Sequence, residues 1–127
     1  MTTRDTLIAV IDDDESVRES LPDLLLELGF DALAFASAEE FLTSDATDDV
    51  RCMILDVAMP GMTGPELHQE LDRRGRQLPV IFITAHADAT VRDQLIKSGA
   101  VDCLFKPFSV QDLRDALDRA VPRQSLR

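Results

Sequence analysis

Five short apolar runs alternate with five stretches of helical spacing, and nothing else in the chain restricts its fold as strongly. Leu7-Ile8-Ala9-Val10-Ile11 is apolar on both faces, as strands covered by helices on both sides are. Ser16 to Leu28 places Val17, Leu21, Leu24, Leu25 and Leu28 on one stripe, with acids at its start and Gly29 at its stop. Pro22 lies inside this helix and removes the donor for the Arg18 carbonyl, so a kink is expected near Arg18. Phe30 to Phe35 reads as a second, weaker strand, and Ser37 with Glu40 forms a capping-box pattern that opens a short helix through Leu42. Residues 43–49 read as a polar loop. Cys52 to Asp56 is the third strand, and it breaks at once into a Pro60-Gly61 loop. Gly64-Pro65 opens a helix carried by Leu67 and Leu71 and ended by Gly75. Leu78 to Thr84, Ala87 to Ser98 and Val101 to Phe105 read as strand, helix and strand, and Ser109 caps a last helix to about Val121.

Strands that alternate with helices in this way imply a parallel sheet with right-handed crossovers and helices on both faces. The expected class is therefore α/β: a flavodoxin-like, doubly wound five-stranded sheet in the order 2-1-3-4-5, with five helices. At 127 residues and 45% apolar content a single domain is expected, spanning 1–127 with its core at about 6–121 and a short tail at 122–127. The formal net charge of −11 repels phosphate backbones, and Trp and Tyr are absent, so direct nucleic-acid binding is not expected. The opening residues Met-Thr-Thr-Arg-Asp do not resemble a leader, and no apolar run reaches the length of a membrane span. A cytoplasmic protein is expected, with Cys52 and Cys103 as reduced, buried small residues.

In such a sheet every strand ends on the same edge. The residues at those ends are Asp12 and Asp13 after strand 1, Asp56 after strand 3, Thr84 after strand 4 and Lys106 after strand 5. Three carboxylates in close approach repel one another and call for a cation. Hard oxygens without sulfur or imidazole select Mg²⁺, or Mn²⁺ in its place. A divalent ion beside a carboxylate, an ammonium and a hydroxyl suits a phosphoryl group, and a carboxylate can itself be the nucleophile.

Val10-Ile11-Asp12-Asp13-Asp14-Glu15, Ile54-Leu55-Asp56-Val57-Ala58-Met59-Pro60, Ile83-Thr84-Ala85 and Phe105-Lys106-Pro107-Phe108, with Gly99-Ala100-Val101-Asp102, resemble the receiver domain of two-component response regulators over nearly the whole chain. The resemblance implies Asp56 as phosphoacceptor, and Asp12, Asp13, Asp56 and the Ala58 carbonyl as holders of Mg²⁺. It implies Lys106 as the phosphate-binding lysine, a cis Lys106–Pro107 bond, and Thr84 as the hydroxyl that moves onto the phosphoryl group. It also implies a histidine kinase or histidine phosphotransfer protein as donor, and a change in the surface of the fourth helix, fifth strand and fifth helix. That surface would be read by a downstream protein or in a homodimer. Ala58 and His86 fall where receivers flank the path of the hydrolytic water and are expected to tune phosphoryl lifetime. Where the family carries Phe or Tyr three residues before the lysine, this chain has Cys103, so the aromatic half of the switch is missing. Catalysis beyond self-phosphorylation and autodephosphorylation is not expected. The chain ends soon after the last helix, which suggests a stand-alone receiver, or a receiver of the subfamily with helix-turn-helix output domains.

Two other readings compete. Asp12 and Asp14 form Asp-x-Asp at a strand end, which resembles haloacid-dehalogenase-type phosphatases, but Glu15-Ser16 follows instead of Gly-Thr and Asp56 is left without a purpose. A binding module indifferent to phosphate would not need the full set of acids, Thr and Lys. Asp14 is otherwise a solvated acid at a helix start, His68 a surface residue, and the methionines fill core and loops.

Overall fold

The structure is a computed structural model and describes residues 6–86 and 88–121. Five parallel strands, β1 (Leu7–Ile11), β2 (Asp31–Phe35), β3 (Val50–Asp56), β4 (Val80–Thr84) and β5 (Asp102–Phe105), form one sheet in the order β2-β1-β3-β4-β5. Helices α1 (Glu15–Glu27), α2 (Ala38–Leu42), α3 (Gly64–Arg73), α4 (Ala89–Lys97) and α5 (Val110–Ala120) follow the strands in turn. The doubly wound α/β class and the strand order are those expected from the alternation.

Strand side chains alternate between two faces, and the core divides accordingly. Ala9, Ile11, Met53, Leu55 and Phe82 pack on one face with Phe41, Leu67 and Leu95 of α2, α3 and α4. Ile8, Val10, Cys52, Ile54, Ile81 and Ile83 pack on the other with Leu21 and Leu25 of α1 and Leu113 and Leu117 of α5. Burial on both faces explains why β1, β3 and β4 read as unbroken apolar runs. Strand β2 lies at an edge, with Asp31, Leu33 and Ala34 exposed, and this accounts for its weaker pattern.

Several boundaries differ from the sequence expectation. Strand β3 starts two residues early, at Val50, and the exposed Arg51 falls where the β1–β3 register shifts. Within the presumed loop, Asp45–Asp48 form a 3₁₀ turn whose Ser44 hydroxyl accepts the Ala46 amide. Glu40 accepts the amide of Ala36 and not that of the cap residue Ser37, so the expected capping box is only half made. The full box occurs at α3, between Thr63 and Glu66. Helix α1 runs on through Pro22. The proposed helix start at Ala87 and the tail 122–127 lie outside the described residues.

His68 is not a surface residue. It is buried and meets the Phe82 ring edge-on, with centroids 5.9 Å apart. Gly64, Leu67, His68 and Leu71 share the buried stripe of α3 at spacings of three and four, so the signal was present in the spacing and was masked by the residue's polarity.

Asp102, also buried, joins three elements. One carboxylate oxygen takes the Arg92 guanidinium of α4 at 2.8 Å and the Cys103 amide at 2.8 Å, and the other takes Arg119 of α5. Asp102→Ala removes all three bonds and is expected to cost about 1–3 kcal/mol. The urea midpoint measures this, and an unchanged midpoint would show the clasp to be dispensable.

Candidate functional site

The C-terminal ends of β1, β3, β4 and β5 meet at one edge of the sheet, as the connectivity requires. Asp12 follows β1 and is fully buried. Its amide donates to the Phe35 carbonyl at the end of β2, and its own carbonyl accepts Arg18 Nη1 at 3.1 Å. Its side chain is divided between two partners. Oδ1 accepts the Asp14 amide at 2.9 Å, and Oδ2 accepts Lys106 Nζ at 2.8 Å. Asp56 closes β3, is 6% exposed, and stands 3.8 Å from the same Lys106 nitrogen. Asp13 is exposed at the mouth. A carboxylate oxygen from each of Asp12, Asp13 and Asp56 can be chosen so that all three lie within 4.8 Å of one another.

These distances fix the electrostatics. Burial, and then the charge of Asp12, push the Asp56 carboxyl up from the ordinary 3.8 to about 7, and Lys106 offsets only part of this. Burial pulls the Lys106 ammonium down, but its hydrogen bond to Asp12 and the charges of Asp56 and Asp12 outweigh that and raise it overall. Lys106 thus lies against two of the three acids, Asp12 and Asp56, and its single charge does not balance the group. Three hard oxygens at this spacing, with no sulfur or imidazole among them, fit a small divalent cation such as Mg²⁺.

Thr84 ends β4 and is 5% exposed, and its hydroxyl accepts the His86 amide at 3.1 Å. The His86 side chain is exposed, as is Ala58 in the loop after β3. The Lys106–Pro107 peptide is cis. Cys103 is buried in the cluster of Leu55, Phe82 and Leu95, and burial pushes its thiol up. Burial likewise holds the Cys52 thiol at about 12. Neither cysteine has the lowered value that a reactive thiolate needs. Phe105, in register with Thr84, packs at the border of the cluster that holds Cys103.

Asp14 is the exposed acid at a helix start that the sequence suggests, and it caps α1 by accepting both the amide and the hydroxyl of Ser16. One supporting residue was not legible in the sequence. Arg18 grips the Asp12 carbonyl from six residues away, and no local spacing encodes that bond.

The family model described as response regulator receiver domain matches residues 8–118. Nodulation protein W of Bradyrhizobium diazoefficiens is 41% identical over 121 residues, covering 95% of this chain and 53% of that protein. Transcriptional regulatory protein TdiR of Thauera aromatica is 43% identical over 114 residues, covering 90% of this chain and 50% of that protein. The chain thus spans about half the length of these curated relatives. Among solved structures, FixJ-N superposes with a TM-score of 0.80 at 37% identity, covering 91% of this chain and 93% of that one. The Vibrio cholerae chemotaxis protein CheY4 gives 0.81 at 25% identity, covering 91% and 98%. The motifs, the sheet order and these matches agree, and the chain belongs to the response regulator receiver domain family.

Proposed function

We propose that this receiver is a phosphoacceptor switch in which Asp56 takes a phosphoryl group from the phosphohistidine of a kinase or phosphotransfer protein. The observation that carries the reading is the group of Asp12, Asp13 and Asp56 with Lys106 2.8 Å from Asp12 and 3.8 Å from Asp56. Asp56 is the acid that ends the central strand, and an Asp56 oxygen attacks phosphorus as the P–N bond to the donor histidine breaks. Asp12, Asp13, Asp56 and the Ala58 carbonyl would hold Mg²⁺, which when bound neutralises charge on the phosphoryl oxygens. Lys106 contributes the second positive charge. The Thr84 hydroxyl, whose oxygen accepts the His86 amide, turns to donate its O–H to a phosphoryl oxygen, and Ala58 and His86 tune how long the group survives.

The output surface is α4, β5 and α5. The Asp102 clasp ties these three elements together, so a shift at Thr84, paired with Phe105 of β5, is passed on to a joined unit. That route does not need a ring at Cys103. A downstream protein or a second copy reads the surface. TdiR and FixJ are named as transcriptional regulatory proteins, and output to transcription is the class proposed here. The phosphatase reading loses ground, because it needs Asp14 as an acid and the Asp14 side chain is occupied in capping α1.

Incubation with acetyl phosphate and Mg²⁺, followed by intact-mass measurement, tests the function. One added phosphoryl group is expected on the parent chain and none on Asp56→Asn or in chelator. No uptake from acetyl phosphate or from a panel of kinases would sink the reading.

A further inference from the structure

The loop from Val57 to Thr63 carries the Ala58 carbonyl, and its two ends are well held. Val57 donates to the Ile83 carbonyl at 3.0 Å and accepts the Gly64 amide at 3.1 Å, while Thr63 donates to Glu66 at 2.9 Å. Near the far bend of the loop the hold comes from another element. Glu39 Oε2 of α2 accepts the Met62 amide at 3.0 Å, across 23 residues of sequence. The fit is close: Gly61 has φ +74°, and a Cβ built there would stand 2.9 Å from the same Oε2. Glycine both permits this backbone conformation and leaves room for the carboxylate. The base of the latch is firm, because the neighbouring Ala38 and Phe41 are fully buried and Phe41 meets Phe35 edge-on at 5.3 Å.

We propose that Glu39 is a positioning residue for the Asp56 site, holding the Gly61–Met62 bend and thereby the loop that offers the Ala58 carbonyl. The proposal rests on the phosphoacceptor reading above. Glu39 touches neither the carboxylates nor the phosphoryl group. Its effect is to spare a divalent cation the entropy of ordering this loop, so it acts on cation affinity before it acts on any rate.

The test compares the parent chain with Glu39→Ala and Glu39→Gln, since Gln keeps an acceptor oxygen and loses only the charge. Mg²⁺ affinity is measured by calorimetry, the Met62 amide is followed by ¹H–¹⁵N spectra, and folding is followed by circular dichroism. Glu39→Ala is expected to weaken Mg²⁺ binding about fivefold, the equivalent of one lost hydrogen bond, and to shift the Met62 amide while leaving the unfolding midpoint nearly unchanged. Glu39→Gln should stay within about twofold of the parent on the same scale. Uptake from acetyl phosphate should fall in Glu39→Ala at limiting Mg²⁺ and recover at saturating Mg²⁺. Unchanged Mg²⁺ affinity in Glu39→Ala overturns the latch, and so does an equal loss in both variants, which would mark a charge effect. If the parent itself binds no Mg²⁺ and takes no phosphoryl group, the latch fails together with the phosphoacceptor reading. If the parent does both and Glu39→Ala matches it, the latch fails alone.

Discussion

Asp56→Asn is expected to be more stable than the parent chain at pH 8 in the absence of divalent cations, by about 2–4 kcal/mol. The sign follows from the displaced carboxyl. Folding raises Asp56 from 3.8 to about 7, so the folded chain holds a proton that the unfolded chain has already released between these values. Stability contributed by the protonated form is complete below pH 3.8 and is lost as pH climbs to about 7. Above that, the parent carries a buried charge beside Asp12 that folding disfavours, and Asn removes it. A displacement of this size corresponds to a ceiling of roughly 4 kcal/mol. Urea titrations in chelator at pH 8 and near pH 4 measure the effect. Circular dichroism is the suitable probe, because the chain has no Trp or Tyr to report by fluorescence. The gain should nearly vanish near pH 4. An Asp56→Asn chain no more stable than the parent at pH 8 would show that the acids are not in conflict. A divalent cation bound among the acids would relieve the same conflict, because it would bring the positive charge that Lys106 alone does not supply.

Lys106→Met works in the opposite direction and is expected to cost about 3 kcal/mol in chelator. Lys106 Nζ bonds Asp12, which is fully buried, at 2.8 Å, and also approaches Asp56 at 3.8 Å. Methionine keeps most of the stem and removes the charge, which leaves buried Asp12 without its ion-pair partner and beside Asp56. The ammonium is raised in the folded chain, so its stabilising effect is present throughout the neutral range and disappears only when pH passes above the ordinary 10.5. Mg²⁺ bound at the same acids would bring positive charge, and it is expected to recover more stability in Lys106→Met than it adds to the parent. Unfolding curves with and without Mg²⁺ decide the matter. A variant as stable as the parent in chelator, with an equal response to Mg²⁺, would remove Lys106 from the charge balance.

The candidate site was legible to the extent that its residues sit at strand ends. Asp12, Asp13, Asp56, Thr84 and Lys106 each follow or finish a strand, and parallel topology sends all such ends to one edge. The bonds that join distant parts of the chain were less legible. Arg18, Glu39 and Asp102 bond across gaps of 6 to 23 residues, and the last two join separate elements. His68 failed for another reason, since residue polarity outweighed a stripe that the spacing already marked.

By itself the sequence determined the class of fold, the order of its strands and the membership of the acid group. Hydrophobic periodicity and the handedness of crossovers are local properties of the chain, and together they leave few ways to close a five-stranded parallel sheet. Only the tertiary structure decided how charge is shared. One lysine is divided between Asp12 and Asp56, Glu39 holds the loop below them, and Asp102 fastens α4 to α5. Such bonds depend on side-chain distances of a few ångströms between elements far apart in sequence, and no pattern of residue types carries that information.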